Sequence, residues 1–393
     1  MDESWWKSRK VFVTGHTGFK GAWLCLLLEH LGAAIRGYAL RPPTDPSLYA
    51  LAALDDRIPG TQGDVRDLTR LSAVLADADP EIVIHMAAQP LVRASYQDPV
   101  TTFGTNVMGT VNLLEAVRSS GGGVRAVVIV TTDKCYENRE WIWGYREDEP
   151  MGGYDPYSSS KACAELATSA YRRSFFRDTR TAVASVRAGN VIGGGDWAQD
   201  RLIPDVIRAF SAGRPAVVRN PDSVRPWQFV LEPLSGYLML ARRLCERGQE
   251  FTGGWNFGPA DDDVRPVRWI VGRMARTWGP DAGWQTDGAE HPHEACALKL
   301  DISKARSRLG WSPQMRIDTA LDWVTAWYKG QLAGGDAERS CREQIDQYCD
   351  CEARERIEPG LNAALPWNQV VDHGSRATPL RSSTSTLPLR RAA

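Results

Sequence analysis

The sequence predicts an α/β protein whose core is a doubly wound parallel β-sheet. Three observations predict this fold class. Short apolar, β-branched runs alternate with helix-length segments through the first half of the chain. A glycine-rich turn joins the first run to the first helical segment, and short polar motifs follow several later runs. Strands that alternate with helices in this way favour parallel pairing, with helices on both faces of the sheet.

The elements follow one another in a regular order. Residues 10–14, Lys-Val-Phe-Val-Thr, suit a buried parallel strand. Residues 22–31 form an apolar helical segment that ends at Gly32, a residue typical of helix C-termini. The later strands are predicted at residues 34–38, 81–86, 126–131 and 181–187, and the later helices at residues 106–119 and 156–176.

A glycine turn lies between the first strand and the first helix. Its spacing is Gly-x-x-Gly-x-x-Gly, from Gly15 through Gly18 to Gly21. Glycines let the backbone approach a phosphate closely, and a helix N-terminus offers unpaired N–H groups and a positive dipole. The alternative is an ordinary strand-to-helix turn. With the flanking elements in this order, the turn predicts a dinucleotide site on a Rossmann-type sheet.

Tyr157 and Lys161 form the second signal. Four residues apart on a helix, two side chains lie on the same face, one turn from each other. Tyrosine is a poor base at its ordinary pKa of about 10, and a neighbouring ammonium lowers that pKa. The pair therefore predicts a proton-transfer group. The alternative is that both residues simply belong to the helix surface.

The motifs converge on one place in the predicted fold. The carboxyl ends of parallel strands share one edge of the sheet, and ligands bind there. The glycine turn, Ala87-Ala88 and residues 131–134 all follow predicted strands. We therefore expect them to line a single cleft, although they are far apart in the sequence.

Composition excludes several classes of protein. The formal net charge of -1 gives no electrostatic case for nucleic acid or a membrane surface. No apolar run approaches 18 residues, and the N-terminus lacks the pattern of a signal peptide. We therefore expect a cytoplasmic protein with reduced cysteines.

No metal site is predicted. The eight cysteines are scattered, and only Cys349 and Cys351 lie close together. His291 and His293 lie in a polar stretch that is predicted to be a solvated loop.

The chain is also predicted to divide into domains. We predict a mainly dinucleotide-binding domain over residues 8–190 and a smaller, mostly C-terminal substrate domain over residues 191–348. Residues 349–393 form a tail. Residues 337–354 are polar and suit one more helix, whereas residues 376–393 are rich in Ser, Thr, Pro and Arg and are predicted to be disordered.

Together these motifs resemble the extended short-chain dehydrogenase/reductase superfamily over roughly residues 8–348. Within it, the chain is most similar to the CDP-glucose 4,6-dehydratase family. The tyrosine–lysine pair is shared by the whole superfamily, whereas the run Asp-Lys-Cys-Tyr at 133–136 is more specific. Relatives that act on dTDP-glucose have Asp-Glu at its start, so Lys134 discriminates between the two. The similar stretches are residues 13–21, 131–138, 189–197, 200–205 and 225–228.

The resemblance implies a mechanism in which bound NAD is regenerated in every turnover. Tyr157, with Thr132 and a serine near Ser159 as orienting hydroxyls, would take the proton of the sugar 4-hydroxyl while NAD takes the C4 hydride. Lys134 would then remove the C5 proton, and Asp133 would act as acid while water leaves from C6. Hydride return to C6 gives CDP-4-keto-6-deoxyglucose. An acid beside a base suits such an elimination.

The resemblance also assigns the remaining site residues. Lys161 would lower the Tyr157 pKa and hydrogen-bond the nicotinamide ribose, and Asp64 and Val65 would bracket the adenine. Residues implied to contact the cofactor are Gly15, Thr17, Gly18, Phe19, Lys20, Gly21, Asp64, Val65, Ala87, Ala88, Gln89, Asn106, Thr131, Tyr157 and Lys161. Residues implied to contact the nucleotide sugar are Asn190, Arg201, Arg225 and Trp227. The family resemblance further implies a homo-oligomer, a dimer or tetramer.

Two residues depart from the expected pattern. Arg41 lies about where NAD-specific proteins offer an acidic residue, and an arginine there admits the 2′-phosphate of NADP. Phe229 stands where relatives commonly have histidine.

Three alternative functions remain open from the sequence: an epimerase or reductase, a dehydratase for dTDP-glucose or GDP-mannose, and a nucleotide-binding protein without catalysis.

Overall fold

The computed structural model describes residues 2–287 and 297–357, with residues 351–357 described by their backbone only. His291, His293, the side chain of Cys351 and the predicted disordered tail at 376–393 lie outside this description. Residues Met1–Ala353 form one compact unit. The proposed domain boundary near residue 190 therefore stays a prediction.

The described chain contains strands of two kinds, those of one large sheet and those of three small two-stranded sheets. The strands are β1 Lys10–Thr14, β2 Ala34–Ala39, β3 Gly60–Gln62, β4 Ile82–His85, β5 Ala126–Val130, β6 Ala182–Ala188, β7 Asn190–Ile192, β8 Ala216–Val218, β9 Val224–Arg225, β10 Trp227–Phe229, β11 Gly253–Phe257, β12 Arg265–Pro266 and β13 Trp284–Thr286.

Helices connect these strands. They are α1 Glu3–Trp6, α2 Phe19–His30, α3 Leu48–Leu51, α4 Leu68–Ala78, α5 Val92–Gln97, α6 Pro99–Phe103, α7 Gly109–Ser119, α8 Pro156–Tyr171, α9 Leu202–Ser211, α10 Leu231–Arg247, α11 Val267–Trp278, α12 Ile317–Leu332 and α13 Ala337–Ile357. No helix in the part of the chain that the structure describes is long and apolar enough to span a membrane.

The large sheet has seven strands in the order β11-β6-β5-β4-β1-β2-β3, and every neighbouring pair is parallel. The chain winds outward from β1 in both directions, so the order reverses between β1 and β4. The predicted doubly wound α/β fold is confirmed. Ligands bind at such a reversal, outside the carboxyl ends of the strands.

Apolar side chains on both faces of the sheet explain why it is parallel and buried. Val11 and Val13 pack into one hydrophobic cluster, and Phe12 between them packs into a second. Helix α2 is buried from Gly21 to Leu28, and Ala22–Leu28 belong to the first cluster. Gly32 follows that helix with φ +73°, the left-handed conformation that glycine adopts without strain.

The sequence misplaced the ends of two helices. The helix predicted to begin at residue 106 begins at Gly109, after one π-helical turn at Gly104–Met108. The helix predicted to reach residue 176 ends at Tyr171, before a second π turn. Hydrophobic periodicity barely differs between one π turn and an α-helix, so the pattern alone does not separate them.

Candidate active site

One large cleft, of about 950 Å³, lies beyond the carboxyl ends of β1, β5 and β6. It brings together residues from both halves of the chain. Of the three segments expected to converge, residues 131–134 line it, the glycine turn contributes only Phe19 and Lys20, and Ala87 and Ala88 do not line it, so the convergence prediction holds only in part. The predicted site residues that line it are Phe19, Lys20, Thr131, Thr132, Asp133, Lys134, Tyr157, Asn190, Arg201, Arg225 and Trp227. The three glycines of the turn, the Ala87-Ala88 segment and Lys161 do not line this cleft.

The glycine turn fits closely against the loop after β4. Gly15 has φ +73°, and a Cβ at this position would lie 2.6 Å from the backbone nitrogen of Ala87. A Cβ at Gly21 would collide with the carbonyl oxygen of Gly15. Gly18 caps α2 without any side-chain hydrogen bond, so the first N–H groups of the helix have no side-chain acceptor there. These features fit a dinucleotide pyrophosphate.

A buried polar network supports this turn, and the sequence reasoning missed it. Thr14 Oγ1 accepts hydrogen bonds from the backbone nitrogens of Met86 and Ala87, both at 3.2 Å. His85 Nδ1 lies 2.7 Å from the same hydroxyl, and His85 Nε2 lies 3.3 Å from Thr110 Oγ1. The network therefore joins β1, β4 and α7 under the turn. Burial lowers the pKa of His85 to about 3.

The buried His85 predicts a measurable pH dependence of stability. Its pKa is depressed from about 6.5, so the unfolded chain gains a proton on acidification before the folded chain does. The contribution of neutral His85 to the free energy of unfolding is fully present above about pH 6.5 and is lost as the pH falls toward 3. At pH 5 the loss from this group is about 2 kcal/mol. We expect His85→Gln to reduce the drop in unfolding free energy between pH 7 and pH 5, measured by urea titration. An unchanged drop would contradict this assignment.

Two predicted cofactor residues, Gln89 and Asn106, bond mainly to protein. Asn106 Oδ1 accepts from the Gln89 backbone nitrogen at 2.9 Å, and its amide donates to Ser160 Oγ at 2.8 Å. The Gln89 side chain bonds to the backbone of Leu91 and to Thr102. The two residues hold the loop after β4 against α8. Direct contact with a cofactor stays a prediction.

Asp64 is half-buried, whereas Val65 is buried. The Asp64 carboxylate accepts from Arg66 Nη2 at 2.6 Å, and this hydrogen bond lowers its pKa. Val65 is buried in the second hydrophobic cluster, and its carbonyl accepts from Asn112 at 3.0 Å. Their roles beside an adenine stay predictions.

Tyr157 lies in the first turn of α8. Asp155 caps this helix by accepting from the Ser158 backbone nitrogen at 3.0 Å, and the Tyr157 nitrogen donates to Ser95 Oγ at 3.1 Å. Burial raises the pKa of Tyr157 to about 12, while a hydrogen bond with Thr132 opposes this shift. The expected lowering of the Tyr157 pKa is therefore wrong in this structure, because burial outweighs the nearby positive charges.

Lys161 lies on the same helix face, one turn further on. Its ammonium donates to the carbonyl oxygen of Val130 at 3.1 Å, and the side chain is buried. Burial, followed by the positive charge of Lys20, lowers the pKa of Lys161 to about 7. A lysine with this pKa is only partly charged at neutral pH.

Asp133 and Lys134 lie together in a short 3₁₀ turn, Asp133–Cys135, directly after β5. Asp133 is buried, and its Oδ1 accepts from Thr132 Oγ1 at 2.9 Å. Its Oδ2 is buried without a hydrogen-bond partner among the described residues. Burial raises the pKa of Asp133, although Lys134 and Arg225 oppose the shift. A carboxyl group in this state can hold and donate a proton.

The predicted substrate residues surround the same cleft. Asn190 and Trp227 are register partners in the small parallel sheet of β7 and β10. Arg201 Nη1 donates to Asp196 at 2.9 Å. Burial, with the positive charge of Arg201, lowers the pKa of Lys20 to about 8. Several cationic side chains therefore line the cleft, as the binding of a diphosphate requires.

The two departures from the family pattern have different surroundings. Phe229 is buried in the core, with its ring edge-to-face against Trp23 at 5.8 Å and Trp323 at 5.5 Å. It does not line the cleft, so its role is packing. Arg41 is exposed after β2, beside Leu40, whose carbonyl accepts from Thr17 Oγ1 at 2.9 Å.

The described residues contain no group of three or more His, Cys, Asp or Glu side chains suited to a metal ion.

Comparison with known proteins identifies the family of the chain. The family described as GDP-mannose 4,6 dehydratase matches residues 12–323. The CDP-glucose 4,6-dehydratase of Salmonella typhimurium is 53% identical over 359 residues, which cover 90% of this chain and 100% of that protein. A dTDP-glucose 4,6-dehydratase of Xanthomonas campestris is 26% identical, covering 80% of this chain and 92% of the relative.

The structural comparison extends to an enzyme with bound ligands. The structure of MoeE5 in complex with UDP-glucuronic acid and NAD superposes with a TM-score of 0.69 at 25% sequence identity, and the match covers 82% of this chain and 99% of that chain. The match to the family spans most of the chain, and identity to one dehydratase exceeds half. The chain therefore belongs to the 4,6-dehydratase family of nucleotide-sugar enzymes.

Proposed function

We propose that this protein is a CDP-glucose 4,6-dehydratase, a lyase that converts CDP-D-glucose to CDP-4-keto-6-deoxy-D-glucose with NAD as its cofactor. The observation that carries the proposal is Asp133. Its buried carboxyl, with one oxygen unpartnered among the described residues, lies in the same cleft as Tyr157 and Lys134. The 53% identity to a CDP-glucose 4,6-dehydratase supports the substrate assignment.

The chain holds the parts that NAD binding needs. Gly15, Gly18 and the N-terminus of α2 would receive the pyrophosphate, and Lys161 would reach the nicotinamide ribose. NAD, when bound, accepts a hydride from C4 of the sugar and returns it to C6. The close fit of Gly15 against Ala87 leaves no room for a side chain at the turn, which supports this assignment.

The proton transfers fall to residues of the cleft. Tyr157, when ionised to the phenolate, accepts the proton of the sugar 4-hydroxyl, and Thr132, hydrogen-bonded to Tyr157, orients that hydroxyl. Once C4 is a ketone, the C5 proton is acidic, and Lys134 removes it. Asp133 donates its proton to the departing C6 hydroxyl, which leaves as water. The burial that raises the Asp133 pKa keeps this proton available.

The cations of the cleft suit the remaining part of the substrate. Arg201 and Arg225 would bind the diphosphate, because a planar guanidinium donates to phosphate oxygens in pairs. Asn190 and Trp227, paired across β7 and β10, would contact the nucleoside. The further expectations, a homo-oligomer and a cytoplasmic location, stay predictions.

A substrate panel tests the function directly. Purified protein is incubated with the CDP-, dTDP- and UDP-forms of glucose and with GDP-mannose, and products are identified by mass spectrometry. We expect loss of one water from CDP-glucose and little change in the others. Preferred dehydration of another nucleotide sugar would contradict the substrate. An isomer of unchanged mass would indicate an epimerase, and no product at all would contradict catalysis.

Cofactor choice gives a separate prediction at Arg41. We expect NAD to bind more tightly than NADP, because Arg41 is exposed and an exposed charge contributes little. Affinities of both dinucleotides are measured by calorimetry for the wild type and for Arg41→Ala. The variant should change the NAD affinity less than twofold. Tighter binding of NADP, lost in the variant, would make Arg41 a phosphate ligand.

A further inference from the structure

A buried ion pair lies directly behind the elimination residues and has no role in the mechanism above. Glu165 follows Lys161 by four residues on α8, and Arg187 lies on the adjacent strand β6. Arg187 Nε lies 2.9 Å from Glu165 Oε1, and its Nη2 lies 2.9 Å from Oε2, so the contact is bidentate. Both side chains are 5% exposed.

The pair holds both ends of the segment that carries Asp133 and Lys134. Before the segment, Thr131 Oγ1 donates to Glu165 Oε1 at 2.5 Å. After it, Arg187 Nη1 donates to the Tyr136 hydroxyl at 2.6 Å. The short 3₁₀ turn between these two contacts is therefore fixed to one ion pair.

Tyr136 is held from three further directions. Its hydroxyl donates to Asn256 Oδ1 at 2.7 Å, which joins it to strand β11. Its ring lies between the Arg187 guanidinium, at 4.9 Å, and the ring of Tyr145, stacked at 5.2 Å. Trp141 stacks on Tyr145 in turn, also at 5.2 Å. The fixed segment is thus continuous with a column of aromatic rings.

The ion pair is fully hydrogen-bonded, which makes it rigid. Besides Arg187 and Thr131, Glu165 accepts from Ser185 Oγ at 2.6 Å. A bidentate guanidinium–carboxylate pair fixes the relative orientation of its partners more strictly than a single hydrogen bond does. A supporting contact of this kind can change rates because a displacement of about 1 Å in a reacting group can cost about 10²-fold.

We propose that Glu165 and Arg187 are positioning residues for the elimination step, and that they hold the Asp133–Cys135 turn so that Asp133 and Lys134 face the sugar. This proposal rests on the proposed dehydratase function. Tyr157 has a further contact that the pair does not supply, the hydrogen bond from its backbone nitrogen to Ser95 Oγ at the start of α8. Loosening the ion pair should therefore slow elimination more than the initial oxidation.

Two mild variants test this without leaving a buried charge unpaired. Tyr136→Phe removes only the hydroxyl that Arg187 and Asn256 contact. Arg187→Lys keeps the positive charge but loses the planar guanidinium that makes the bidentate contact with Glu165. In single turnovers with CDP-glucose, reduced nicotinamide absorbance reports oxidation, and water loss by mass reports elimination. We expect elimination to slow about tenfold or more and oxidation less than threefold. An unchanged ratio of the two rates in both variants would overturn the proposal.

Matched substitutions control for a general loss of stability. Tyr171→Phe removes a hydroxyl that lies 3.4 Å from Glu115, and Arg57→Lys alters an ion pair with Glu29 and Glu338. None of these residues lines the cleft. Both control variants should keep the wild-type ratio of the two rates.

A second readout is independent of catalysis. Cys135 is buried inside the fixed segment, so its alkylation and the hydrogen exchange of residues 131–136 report the order of that segment. Both should rise at least threefold in Tyr136→Phe, while exchange at residues 157–161 stays constant. Uniform or unchanged exchange would overturn the positioning role. A wild type that forms no dehydrated product would contradict the proposed function and with it the link to elimination, and this readout would then decide whether Glu165 and Arg187 hold the segment in place.

Discussion

Replacement of Tyr157 by phenylalanine should lower kcat by about 10²–10⁴-fold, the usual cost of losing a general base. The change removes the oxygen that, in the proposed mechanism, accepts the proton of the sugar hydroxyl. It keeps the ring that packs at the start of α8 and the backbone bond to Ser95. We therefore expect the melting temperature and the bound NAD content to stay close to those of the wild type.

The measurement combines steady-state kinetics with cofactor extraction and thermal unfolding. Tyr171→Phe, a tyrosine outside the cleft, is the matched control and should retain full activity. If Tyr157→Phe kept more than about half of the wild-type kcat, Tyr157 would not be the base. If activity fell together with NAD content, the tyrosine would act in binding rather than in proton transfer.

The second large effect concerns Asp133 and Lys134. In the proposed mechanism, Asp133→Asn removes the proton that departs with the C6 hydroxyl, and Lys134→Ala removes the group that takes the C5 proton. Each loss should slow elimination by about 10²-fold or more, as expected for loss of general acid–base catalysis. Oxidation at C4 should slow much less because Tyr157 and Thr132 remain in place.

A single-turnover experiment separates the two steps. In each variant, reduced nicotinamide absorbance should rise and persist, whereas in the wild type it should rise only transiently. Equal slowing of both steps, without persistent absorbance, would place Asp133 and Lys134 outside the elimination. A normal transient in one variant alone would assign the acid–base work to the other residue.

Much of the fold follows from local sequence patterns. The runs at 10–14 and 126–131 are apolar and β-branched, so they were recognised as buried strands nearly to the residue. The seventh strand, Gly253–Phe257, was missed because its sequence, Gly-Gly-Trp-Asn-Phe, carries no β-branched residue. It forms a strand because β6 offers it a partner edge, and propensity is weaker than such tertiary pairing.

For the candidate site, the sequence identified the residues but not their pKa shifts. Motif residues such as Asp133 and Tyr157 were identified from spacing and resemblance, and the structure places both in one cleft. The sequence did not reveal how the fold shifts the pKa values of these side chains. The pKa of Tyr157 is raised rather than lowered, because that pKa depends on how much water the folded chain excludes. Spacing along a helix carries no information about exclusion of water.

By itself, the sequence determined the parallel α/β sheet, the glycine turn and the order in which the catalytic motifs reach one edge. These features depend on short-range periodicity and on chain connectivity. Only the tertiary structure decided the contacts between His85 and Thr14, 71 residues apart, and between Arg187 and Glu165, 22 residues apart. Those contacts form where distant elements pack and exclude water, and only such burial makes a hydrogen-bonded pair or a shifted pKa specific to one site.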